Sequence, residues 1–148
     1  MGRIDGGRYS VAGKYDPFAN GTVANMASVQ VHGTRADNAV AYISPAWNGL
    51  SFLAAYTTSL VGQENPGNKG DGRLWALIPS YAKGPLNLTL DFEQLAPKGS
   101  EEHKTNILVG GVSYDFGPLK LHGYWESIKT DNYKDVFDGS FATYSALL

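Results

Sequence analysis

Asp91 and Glu93, two residues apart, and Lys120, His122 and Glu126, each an even number apart, are the charged side chains with the most regular spacing. Alternate residues share one face of a strand, so both sets read as polar stripes that border water. His32, His103 and His122 are too scattered to ligate a metal together, and neither His-x3-His nor His-Glu-x2-His occurs. Gly67-Asn68-Lys69-Gly70-Asp71-Gly72 has the composition of a phosphate-cradling loop. It lacks the strand before and the helix after that such a loop needs, so it reads as a solvent-exposed turn. Asp131, Asp135 and Asp138 fall in one long loop that could hold calcium, but the EF-hand pattern is absent and an acidic loop is the simpler reading. No Gly-x-Ser-x-Gly elbow occurs and no Ser/His/Asp order stands out. With no cysteine, thiol nucleophiles, disulfides and Cys-ligated zinc are excluded. The expectation is a protein that is not an enzyme, with no cofactor and no metal.

Positioning such stripes is work for strands. The chain has 148 residues, room for one domain, with 12 Lys and Arg against 14 Asp and Glu for a net charge of −2. That balance excludes a whole-chain electrostatic partnership with nucleic acid. From Leu86, the set Leu86, Leu88, Leu90 and Phe92 alternates with Asn87, Thr89, Asp91 and Glu93. Leu108, Gly110, Val112, Tyr114 and Phe116 make an apolar face in the next segment, and Leu119, Leu121, Gly123 and Trp125 oppose Lys120, His122, Tyr124 and Glu126 in the one after. Weaker two-residue patterns cover 35–43, 50–57 and 74–81, and a last segment runs over 141–148. Pro79 counts against a fully bonded central strand and predicts a bulge or distortion nearby. Residues 1–34 show no sustained period and read as one long loop. The connections alternate strictly, short at 45–48, 83–84 and 117–118 and long at 61–72, 97–103 and 130–139. The fold expected is all-β, an antiparallel up-and-down meander with two unlike rims.

Two barrels fit that meander. One is soluble and lipocalin-like, with its apolar face turned inward around a small apolar ligand. The other lies in a bilayer with its apolar face outward. No run of 18 apolar residues exists, which excludes a transmembrane helix but not transmembrane strands of about 9 to 11 residues. Tyr42, Trp47, Tyr56, Tyr81, Tyr114 and Phe116 fall at strand ends, where aromatic girdles meet headgroups. Together with the unlike rims, this favours the bilayer.

Thr34-Arg35-Ala36-Asp37-Asn38-Ala39-Val40-Ala41-Tyr42-Ile43-Ser44-Pro45, followed by Trp47-Asn48-Gly49-Leu50, resembles the Arg-x-Asp-Asn-Ser-Val-x-Tyr-x-Ser-Pro signature of Gram-negative general diffusion porins of the beta-proteobacterial type. Tyr81-Ala82-Lys83-Gly84-Pro85-Leu86, Val112-Ser113-Tyr114-Asp115-Phe116-Gly117 and Leu119-Lys120-Leu121-His122 match further family segments in the right order. The resemblance implies a 16-stranded homotrimeric barrel in the outer membrane, embedded in lipid, that passes small hydrophilic solutes and ions. It also implies that residues 1–148 are a single partial barrel domain. Residues 1–34 would hold most of an infolded constriction loop and 35–148 about seven strands. An acidic loop facing a basic wall would form the constriction, with Arg35, Asp37 and Asp16 as its candidates and Asp5 as a further acid. Asp91, Glu93, Lys120, His122 and Glu126 would line the pore. Arg8 and Lys14, facing the same lumen, would blur that simple opposition of charges.

Overall fold

The structure is a computed structural model that describes residues 2–17, 35–60, 72–97, 104–130 and 144–147. Among these residues eight strands form one sheet: β1 (Gly2–Asp5), β2 (Arg35–Ile43), β3 (Leu50–Thr57), β4 (Gly72–Lys83), β5 (Leu86–Pro97), β6 (Thr105–Asp115), β7 (Lys120–Thr130) and β8 (Tyr144–Leu147). They pair in chain order, every neighbour antiparallel. Among the described residues one helix, α1 (Gly7–Tyr15), lies between β1 and β2 in the chain. No helix among the described residues is long and apolar enough to cross a membrane, which says nothing of strands.

The two-residue periods fall where the ladders put them. Tyr114 faces Leu86 on one side and Leu121 on the other, and Gly110 faces Leu90 and Trp125. The apolar sets of β5, β6 and β7 therefore share one face. Leu88, Leu90, Phe92, Val112, Leu121 and Trp125 on that face are 37–48% exposed, so it is not a protein core. The strands β4 to β7, at 11 or 12 residues, run past the segments that periodicity marks, because pairing continues after clean alternation stops.

The short turns are built as their residues dictate. Asn48 and Gly49 both hold positive φ, +51° and +94°, the backbone of a two-residue hairpin turn. Trp47 and Leu50 close it by exchanging N–H···O bonds of 2.8 and 3.0 Å. Tyr42, Trp47 and Phe52 gather at this rim, with ring centroids 5.9 and 6.2 Å apart, and Tyr114 and Phe116 pair at 4.5 Å.

The distortion expected at Pro79 is present as a gap rather than a bulge: the β4–β5 pairs stop at Leu77↔Phe92 and resume at Ser80↔Thr89 in the same register. The ring removes one donor without inserting a residue, so the break stays local. A register shift occurs in the β1–β2 ladder, between Gly2↔Ala39 and Ile4↔Ala36, where Asn38 takes φ +51°. That extra residue turns both Ala36 and Ala39 to the buried side. The expectation of one long loop needs correction over residues 2–15, since they hold β1 and α1. The reading of 141–148 as a strand survives as Tyr144–Leu147.

Candidate functional site

Helix α1 is laid against the sheet face opposite the exposed apolar one, over β5, β6 and β7. Its buried residues are Arg8, Val11, Ala12 and Tyr15, a spacing of three, four and seven that makes one helical stripe. Val11 and Tyr15 pack with Ile78, Ile107 and Val109. Fully burying an aromatic and a valine is worth roughly 2–3 kcal/mol each, enough to seat a helix of nine residues that would be marginal alone.

Gly6 at the N-cap supplies no side-chain bond. The backbone N–H groups of Gly7 and Arg8 donate instead to the Glu93 carboxylate on β5. A wall residue thus satisfies donors that a capping Ser or Asp usually takes. Glycine is required at position 7, because a Cβ there would stand 2.5–2.8 Å from Glu93 Oε1, Ile78 Cδ1 and Asp91 Oδ2.

Arg8 reaches into the same seat. Its Nη2 donates to Glu126 Oε1 in an ion pair buried on both sides, while Nε and Nη1 have no hydrogen-bond acceptor. Tyr124 Oη donates to the second oxygen, Glu126 Oε2, at 2.9 Å. Asp91 is fully buried, and neither of its carboxylate oxygens has a hydrogen-bond partner. Burial pulls the Arg8 pKa below its ordinary value, and the fields of Tyr124, Glu93 and Asp91 oppose the fall.

The C-terminal end of α1 is fixed by a different set. Tyr15 Oη and Thr89 Oγ1 are 2.8 Å apart, Lys14 Nζ donates to the same Thr89 oxygen at 3.0 Å, and Ser80 Oγ lies 3.0 Å from it. The Tyr15 ring rests on Gly111 so closely that any Cβ there would overlap it. Burial lowers the Lys14 pKa; burial also raises that of Tyr15, with its Thr89 bond acting against the rise.

The sequence candidates distribute themselves around this seat. Asp91, Glu93 and Glu126 lie beneath α1, all less than 10% exposed. His122 is half-buried on the same face with Nδ1 unpartnered, and Lys120, paired with Asp115 across the ladder, is exposed near the short turns. Asp16 is buried just past the end of α1. Arg35 bonds Asp5 at 3.3 Å and Asp37 bonds Arg3 at 3.1 Å. These four alternate with Ile4 and Ala36, and of them Arg35 lines a cavity together with Arg8 and Glu93. The resemblance implies an acidic loop against a basic wall; in the seat of α1 the loop helix brings a guanidinium and the wall brings three carboxylates. Arg8, Gly7, Tyr15 and Gly111 are the site residues that period-two reasoning does not pick out. Among the described residues no group of three His, Asp or Glu is arranged to hold a metal. Residues 131–139 of the acidic loop, with Asp131, Asp135 and Asp138, and residues 67–71 of the glycine-rich segment lie outside the described residues.

An antiparallel meander with one apolar exposed face and a helix on the other is a fold that comparison with known proteins can place. The profile of the Gram-negative porins matches residues 1–146. The chain belongs to the Gram-negative porin family. An outer membrane porin protein of Bordetella pertussis is 31% identical over 140 residues, covering 81% of this chain and 36% of the relative. The chain therefore spans little more than a third of that porin's length. No solved structure matches. Porin membership places the protein in the outer membrane and the sheet in a β-barrel wall. It removes support from the soluble lipocalin-like reading, which would also need Leu88, Leu90 and Phe92 to be covered rather than exposed.

Proposed function

We propose that this porin sheet is part of a 16-stranded, trimeric barrel that lets small hydrophilic solutes and ions diffuse passively through a water-filled pore, with no bond made or broken. The observation that supports this most is the two-sidedness of the sheet. One face is a continuous band of exposed Leu, Val, Phe, Trp and Tyr suited to acyl chains. The other carries the polar and charged side chains and the helix that narrows the space in front of them. On this reading α1 is part of the constriction loop. Arg35, Asp37 and Asp16 flank segment 17–34 in the chain and are assigned to the narrow section. Asp91, Glu93, Lys120, His122 and Glu126 are assigned to the pore-side wall.

The test is conductance of the complete barrel in planar bilayers, combined with fluorescence quenching by lipid-borne quencher from probes at Leu88 and Leu90. Open-channel currents in salt and strong quenching at both positions are expected. Absent quenching in proteoliposomes, or no conductance, refutes the reading.

A further inference from the structure

We infer that Arg8 determines the charge preference of the passage beside α1, an inference that rests on the pore reading above and adds the residue and the sign. The seat holds one guanidinium against three carboxylates, Asp91, Glu93 and Glu126. Removing Arg8 lowers the seat charge by one unit and removing Glu126 raises it by one, whatever proton the adjacent buried carboxylates of Asp91 and Glu93 share. The seat is walled on one side by Val11, Ile78, Ile107 and Val109 and borders on the other a cavity lined by Arg8, Glu93 and Arg35, so its field is weakly screened and reaches that opening. Lys14, one turn and a half along α1, turns its Nζ to Thr89 on the wall. The polarity is the reverse of an acidic loop facing a basic wall, and small cations are the solutes whose passage the seat favours.

Arg8 also ties α1 to the wall, so its role as a charge has to be separated from its role as a clamp. Glu126 allows this. Removing either partner breaks the same ion pair, yet the two removals change the seat charge in opposite directions. The remaining anchors, Glu93 on the helix N-terminus and Tyr15 on Thr89 and Gly111, are untouched by either change.

The experiment measures reversal potential in a KCl gradient for the complete barrel in planar bilayers. Arg8→Gln should raise the cation-to-anion permeability ratio and Glu126→Gln should lower it, each by about two- to tenfold for one unit charge at this range. In the double variant the two changes cancel, and the ratio should return near that of the parent. A clamp alone would move both single variants the same way and leave the double variant with them rather than with the parent; that result overturns the inference. Equal ratios in parent and Glu126→Gln overturn it as well, and decide the matter even where Arg8→Gln does not fold. A parent barrel with no conductance at all overturns the pore reading instead.

Discussion

Gly110 and Gly111 are neighbours on β6, and replacing each by alanine should have opposite outcomes. A Cβ at Gly111 would overlap the Tyr15 ring, with Cγ at 2.9 Å and two further ring carbons closer still. The backbone of β6 is held by ladders on both sides, Thr89↔Gly111 and Gly111↔Tyr124, and cannot retreat. The ring must leave. It would forfeit the burial of a side chain only 1% exposed, roughly 2–3 kcal/mol, and the hydroxyl bond to Thr89, about 1 kcal/mol. Gly111→Ala should therefore weaken the hold on α1 by about 3–4 kcal/mol. On the opposite face a Cβ at Gly110 would meet Leu90 at 3.6 Å and Trp125 at 3.9 Å, ordinary contacts. Gly110→Ala should be neutral or stabilise by up to about 1 kcal/mol, since glycine in a strand costs entropy. Single-channel conductance and trypsin cleavage after Lys14 read the helix directly. Gly111→Ala should conduct more and be cut faster, while Gly110→Ala should match the parent. Tyr15→Ala should mask the Gly111 effect, giving a double variant no worse than Tyr15→Ala alone. Equal behaviour of the two glycine variants, or additive losses in the double variant, would show that α1 is not held by this contact.

Gly7→Ala should push the helix start off Glu93 and Ile78 and raise conductance, because a methyl group has no space there; an unchanged channel would contradict the placement of the helix start. Leu90→Arg, on the exposed apolar face, should cost about 2–4 kcal/mol if it lies near the bilayer midplane, measured by refolding from urea into vesicles, and a loss under 0.5 kcal/mol would argue that this face does not meet lipid. Burial lowers the Lys14 pKa, so its charge is lost before pH reaches the ordinary lysine value of about 10.4. As pH rises toward that value the reversal potential should drift toward cations, and Lys14→Met should abolish the drift. The sign for stability follows: the cost of burying the charged form is present at neutral pH and is relieved as pH rises past the depressed value.

The strands were legible where the two sides of the sheet differ in polarity. β5 and β7 alternate cleanly because one side meets the exposed apolar face and the other carries Asp91, Glu93, His122 and Glu126. β2, β3 and β4 show poor periods because their other side is also apolar: Ala39, Ala55, Ala76 and Ile78 line the groove beside the start of α1. A strand apolar on both sides has no alternation to read. The helix was invisible for a related reason. Its stripe at 8, 11, 12 and 15 is regular, but it begins with an arginine and the segment carries glycines at 6, 7 and 13 with no capping side chain. Counting Arg8 as an interior residue would have revealed the spacing. Nothing local marks Glu93 as the acceptor for its first turn.

Every anchor of α1 comes from far along the chain. Its guanidinium partner is 118 residues downstream and its tyrosine partner 74. Nine residues without a local cap do not persist as a helix in water, so this turn of chain takes shape only after β5, β6 and β7 have found their register. On the proposed pore reading, the bore of the channel is then fixed late in assembly: a wall still inserting into the membrane would present a wide, unobstructed mouth, and the narrowing would itself report that the downstream strands are in place.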